Sequence, residues 1–85
     1  MASYSVVIRR SAGKEIEALP TPDRRRVVTR IQALATDPRP VGCEKLSGEE
    51  KYRLRQGDYR ILYEITDREL IVTVVKVGNR RDVYR

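Results

Sequence analysis

The chain has 85 residues, 18 Lys and Arg against 12 Asp and Glu, one Cys and no His, for a formal net charge of +6 and a sequence pI near 9.9. That length makes a single domain, residues 1–85, with a limited core. Without histidine, imidazole acid–base catalysis and Ser–His or Cys–His nucleophiles are excluded, and a lone Cys43 offers neither an intrachain disulfide nor a metal ligand set.

The surplus of positive charge points to a polyanionic partner, nucleic acid first. The start of the chain, MASYSVVIRRSAG, lacks the apolar core of a signal peptide. The longest apolar-rich run, Leu70 to Val77, contains Lys76 and is too short to span a bilayer. A soluble, cytoplasmic protein with no membrane contact is expected.

Tyr4 to Arg9 alternates weakly and is rich in β-branched residues, the pattern of a first strand. Ser11 is placed to cap a short helix running to Leu19, with Ala12, Ile16 and Leu19 on one side; Pro20 stops it. Thr21-Pro22-Asp23 is a helix-start signal, with Thr as N-cap, Pro at the first helical position and an acid in the first turn. The helix that follows spaces Val27, Val28, Ile31, Leu34 and Ala35 along one stripe and leaves Arg24, Arg25, Arg26 and Arg30 outside. Asp37-Pro38 ends it, and Arg39 to Lys51 reads as a loop.

Gly57-Asp58 separates two alternating runs, Tyr52 to Gln56 and Tyr59 to Ile65, and a two-residue loop led by Gly suits a type II′ turn. Counting outward from it pairs Gln56 with Tyr59, Arg55 with Arg60, Leu54 with Ile61, Arg53 with Leu62 and Tyr52 with Tyr63. One face then carries Tyr52, Leu54, Tyr59, Ile61, Tyr63 and Ile65, ready to cover the helical hairpin; the other gathers Arg53, Arg55 and Arg60. Like charges placed directly opposite destabilise a hairpin by about 0.2–1 kcal/mol, so the Arg55–Arg60 pair breaks a local rule, as functional sites do. Read blandly, the three are a solvated charged face. The last strand, Leu70 to Val77, is apolar at nearly every position, as in a strand covered on both faces. A two-residue Asp67-Arg68 turn would put Lys76 on the core side, and a longer loop would reverse the faces. Gly78-Asn79 breaks the strand before Arg80, Arg81, Tyr84 and Arg85. Glu49, Glu50, Asp67 and Glu69 read as solubilising acids, so no metal site is expected.

Guanidinium groups and tyrosines are the chemistry that remains. Arginine grips phosphate through a planar fork and stabilises charge developing on a phosphorane-like transition state; tyrosine stacks on a base or exchanges a proton. That set suits cleavage of RNA by the neighbouring 2′-hydroxyl, without a metal or other cofactor.

The block YRLRQGDYRILYEI, the acidic turn, the apolar strand and the terminal VGNRRDVYR resemble the RelE/ParE superfamily of toxins, and specifically its RelE branch; the strand and two helices before them are similar as well. The resemblance implies an α+β fold, β-α-α-β-β-β, with a helical hairpin on a mainly antiparallel four-stranded sheet. It implies the toxin of a type II toxin–antitoxin system: an mRNA interferase that cuts mRNA in the ribosomal A site and inhibits translation. The ribosome, mRNA and a cognate antitoxin are its partners, the last in a hetero-oligomer. The family's catalytic positions fall on Arg53, Arg55, Arg60, Arg80 and Tyr84, with Arg81 and Lys45 as further RNA contacts. RelE toxins often carry Lys where this chain has Arg53 and Arg55, and arginine stays protonated, so neither serves as a general base. Two alternatives stand beside this reading: a ParE-like toxin that inhibits DNA gyrase by binding, and a family member without catalysis.

Overall fold

The computed structural model describes residues 3–46 and 50–79. Their order is β1 (Ser5–Ile8), α1 (Arg10–Glu17), α2 (Thr21–Ala33), β2 (Glu44–Lys45), β3 (Lys51–Gln56), β4 (Tyr59–Thr66) and β5 (Ile71–Asn79). The strands form one sheet in the order β1-β5-β4-β3-β2, in which β1 runs parallel to β5 and every other pair is antiparallel. The described sheet therefore has five strands rather than the four expected. The additional one, β2, lies in the segment read as a loop; two residues are too few to show a period, and only its pairing with β3 reveals it.

Both helix starts fall one or two residues earlier than their capping signals. Arg9 is the N-cap of α1 and leaves Ser11 inside the helix, while Pro20 precedes Thr21, the first residue of α2. Neither N-cap makes a side-chain capping bond. The stripes still face inward. Ala12 and Ile16 from α1 and Val27, Ile31 and Leu34 from α2 meet Tyr52, Leu54, Ile61, Tyr63, Ile65, Val72, Val74 and Val77 in one core. Strand pairing explains this set, because Tyr52–Tyr63–Val74 and Leu54–Ile61–Val77 are cross-strand rows on the same face.

The β3–β4 register is the one the turn dictates, from Gln56↔Tyr59 to Tyr52↔Tyr63. Gly57 has φ 59° and Asp58 keeps negative φ, which fits the II′ form and excludes I′. The β4–β5 pairing holds a different answer from either sequence alternative. Four residues, Asp67 to Leu70, join the strands, with Leu70 at φ 55°, and this loop has the same parity as a two-residue turn. Continued unbroken, that register would set Lys76 opposite Ile61, in the core. A β-bulge intervenes: Tyr63 pairs with Val74 but Leu62 pairs with Lys76, so Val75 is the extra residue. Beyond it Val77 takes the core position and Lys76 the outer face.

β1 ends at Ile8, opposite Val74, so β5 has no strand on that side further along. Glu15 of α1 fills the gap: its Oε1 accepts the backbone N–H of Val77 at 3.0 Å and its Oε2 the ammonium of Lys76 at 3.1 Å. One carboxylate thus satisfies the sheet edge and the lysine that the bulge turns outward.

Candidate functional site

On the face of the sheet away from the helices, register makes two outer rows, Arg53–Leu62–Lys76 and Arg55–Arg60–Gly78. Arg53, Arg55 and Arg60 therefore do share a face. Their settings differ. Arg55 is exposed, Arg53 is half-buried, and Arg60 is only 7 % exposed, the one buried charged residue among those described. The bulge bears on Arg60 directly, because without it Val77 rather than Gly78 would stand beside that guanidinium. Glycine brings no side chain to that position, and a guanidinium sunk at the sheet surface is a fixed charge rather than a swinging arm.

β2 pairs with β3 at Tyr52 and Arg53, and among the described residues no strand continues along that edge from Leu54 onward. There the surface forms a cleft of about 280 Å³ lined by Arg53, Arg55 and Arg60, by Arg30 from α2, and by Gly42 and Glu44 from the segment leading into β2. Gly42, at φ 95°, turns the chain into this position with a backbone conformation that other residues rarely adopt. Among the described residues, four guanidinium groups face one carboxylate in this lining. Glu44 stands opposite Arg53 in register, and its Oε2 accepts from Arg53 Nη2 at 2.7 Å. Sequence reasoning missed Arg30, Gly42 and Glu44. Arg30 read as one of several outer-face arginines, and no local pattern shows that the loop folds back on β3.

Arg30 also lines a shallow groove along α2 with Arg25, Arg26, Thr29, Ala33 and Gln56. The cleft therefore runs on into the basic side of the helix. At the hairpin tip Tyr59 donates to Asp23 Oδ2 at 3.0 Å, pinning the turn to the first turn of α2. That bond raises the tyrosine's pKa above its ordinary value.

Lys45 is not part of the cleft lining; it is exposed on β2, with its ammonium 3.1 Å from Glu50 Oε1. Arg80, Arg81 and Tyr84 lie outside the described residues. Among the described residues no group of three or more His, Cys, Asp or Glu is placed to hold a metal ion, and no helix is long and apolar enough to cross a membrane.

Two acids read as solubilising have structural tasks at the other end of the sheet. Arg39 donates to both oxygens of Asp67, at 3.2 and 2.8 Å, and Tyr4 donates to Asp67 Oδ1 at 2.6 Å. Arg39 Nε also donates to the Tyr52 hydroxyl at 3.0 Å, which in turn donates to Glu50 Oε2 at 3.2 Å. The Arg39 fork, with Tyr4 beside it, holds the Asp67 carboxyl down at about 2. Lys45 and Tyr52 lower that of Glu50. Tyr52 stacks on Tyr63 at 5.7 Å between ring centres, and the Tyr63 hydroxyl donates to the Pro38 carbonyl at 2.8 Å. Burial pushes the Tyr63 phenol well above its ordinary value.

A family model described as the ParE toxin of the type II toxin–antitoxin system parDE matches residues 6–84. The chain accordingly belongs to the RelE/ParE superfamily of toxins of type II toxin–antitoxin systems. The relatives found carry the RelE name. A putative RelE-like toxin protein of Escherichia coli is 31 % identical over 86 residues, covering 95 % of this chain and 90 % of the relative. The solved archaeal RelE–RelB complex from Pyrococcus horikoshii OT3 is similar with a TM-score of 0.84 and 28 % identity, over 92 % of this chain and 96 % of that one. The toxin–antitoxin complex RelBE2 from Mycobacterium tuberculosis gives a TM-score of 0.82 and 28 % identity, over 94 % of each chain.

Proposed function

We propose that this toxin is a ribosome-dependent endoribonuclease of the RelE type, which cuts mRNA in the A site by 2′-hydroxyl attack and so inhibits translation in the cytoplasm. The observation that carries the reading is the cleft at the β3 edge, where Arg53, Arg55 and buried Arg60 converge with Arg30. Opposed cations such as Arg55 and Arg60 are relieved by an anion between them, and a phosphodiester matches a guanidinium fork in charge and geometry. In this mechanism Arg53, Arg55 and Arg60 clamp the scissile phosphate and the charge that grows on it in the transition state. Arg80 holds the phosphate on the leaving-group side, Arg81 adds a backbone contact, and Tyr84 stacks on a base or exchanges a proton.

A cognate antitoxin is the second partner. Solved relatives include RelB–RelE complexes, and an acidic segment that folds on binding complements a chain of net charge +6. The family model's ParE description favours a second reading, inhibition of DNA gyrase by binding. Primer extension on cellular mRNA after induced expression separates the two. Codon-phased cuts that disappear with Arg60→Ala support the nuclease; supercoiling loss with intact mRNA supports gyrase inhibition. Growth unaffected by expression without antitoxin points instead to a member that catalyses nothing.

A further inference from the structure

Attack by a 2′-hydroxyl needs a group to take its proton, and the arginines of the cleft cannot, since a guanidinium has no acceptor. We infer that Glu44 is that general base, an inference that rests on the nuclease reading above. Among the described residues, Glu44 is the only acid that lines the arginine cleft. Its Oε2 is held at 2.7 Å by Arg53, while Oε1 carries no hydrogen bond among the described residues.

Other carboxylates of the described chain that take part in ion pairs have both oxygens engaged, away from this cleft. Glu64 meets Arg9 and Lys51, Glu15 meets Lys76 and the Val77 amide, and Asp67 meets Arg39 and Tyr4. Glu50 meets Lys45 and Tyr52, and Asp23 meets Arg26 and Tyr59. The described tyrosines are committed too: Tyr4, Tyr52, Tyr59 and Tyr63 all donate their hydroxyl protons to carboxylate or carbonyl oxygens. Among the described residues, Glu44 is the carboxylate with one spare oxygen set beside the guanidinium groups that would grip the phosphate. The bond from Arg53 fixes the carboxylate's orientation, and the cross-strand register fixes its distance from the arginine face.

In the step itself Glu44 takes the proton of the 2′-hydroxyl as O2′ bonds to phosphorus. The bond from phosphorus to the 5′ oxygen breaks, leaving a 2′,3′-cyclic phosphate. The departing 5′ oxygen takes a proton from solvent water, and the Glu44 proton returns to solvent.

The test is single-turnover cleavage of mRNA on programmed ribosomes by the full chain, by Glu44→Gln and by Arg53→Ala, between pH 6 and 9. Glu69→Gln, an exposed acid in the β4–β5 loop, is the control and cuts like the wild type. Removing a general base costs about 10²–10⁴-fold in rate. Glu44→Gln is expected to fall by that factor and to gain a rate that climbs about tenfold per pH unit, hydroxide replacing the base, while the wild type stays flat. Its affinity for mRNA with a 2′-deoxy scissile position should stay within threefold of wild type. A Glu44→Gln rate within threefold of wild type overturns the assignment. So does a slow variant whose pH profile is as flat as that of Arg53→Ala, because Glu44 would then act only by holding Arg53. Wild-type toxin that cuts no mRNA overturns the nuclease reading and this assignment together, an outcome distinct from both.

Discussion

The two ends of the sheet hold arginines in opposite circumstances. Far from the Gly57-Asp58 turn, Arg39 is matched by Asp67, and the acids around it are each held by a cation or a tyrosine hydroxyl. Near the turn, Arg30, Arg53, Arg55 and Arg60 share one cleft in which Glu44 is the only acid among the described residues. The first arrangement closes on itself and ties the Asp37–Lys45 segment to the sheet. The second sets four guanidinium groups beside one described carboxylate, a concentration of positive charge that suits an anionic ligand. Residue type does not distinguish them; the local ratio of acid to base and the shape around it do.

Arg60 separates the two arrangements most sharply. Arg60→Ala is expected to lower cleavage on ribosomes by about 10²–10³-fold, the usual consequence of losing one fixed donor to a transition-state oxyanion. Single-turnover kinetics measure it, and thermal unfolding checks that the variant folds. A loss of stability with cleavage intact would put Arg60 in the structural class with Arg39.

Arg39→Ala should behave in the reverse way. It removes a two-pronged bond to Asp67 on a half-exposed surface, and the expected cost is about 1 kcal/mol of stability, read by urea unfolding, with cleavage unchanged. The same pair sets an acid dependence. Because the folded protein holds Asp67 at about 2, below its ordinary value near 3.9, the contribution of Asp67 is complete above about pH 4 and fades as pH falls through about 2. The melting temperatures of wild type and Arg39→Ala should therefore converge between about pH 4 and pH 2; a constant gap would show that Asp67 is not the group concerned.

Lys45→Ala carries the smallest expected effect. An exposed lysine facing one glutamate shifts Tm by about 2 °C or less. RNA affinity, read by fluorescence anisotropy, should change less than threefold. A tenfold loss would place Lys45 at the RNA interface that the family resemblance implies.

Much of the fold could be read from the chain. The β3–β4 register followed from Gly57-Asp58 by counting, and with it the shared face of Arg53, Arg55 and Arg60, because a two-residue turn fixes pairing through bonds only a few residues apart. The core stripe of α2 followed from its spacing. The burial of Arg60 and the membership of Arg30 and Glu44 in the cleft did not, since each depends on segments distant in sequence that meet only on folding.

By itself, then, the sequence determined the two helices, the central hairpin and the arginine face, all features whose causes are local. Tertiary structure alone decided the pairing of β2 and the sidedness of β5. An unbroken register would have buried Lys76 and set Val77 beside Arg60. The bulge at Val75 is the arrangement in which Val77 fills the core, Lys76 reaches Glu15 of α1, and Gly78 lies next to Arg60. Burying an unpaired ammonium costs far more than one distorted rung of a ladder, and that balance involves a helix about 60 residues away in sequence, beyond the reach of any local pattern.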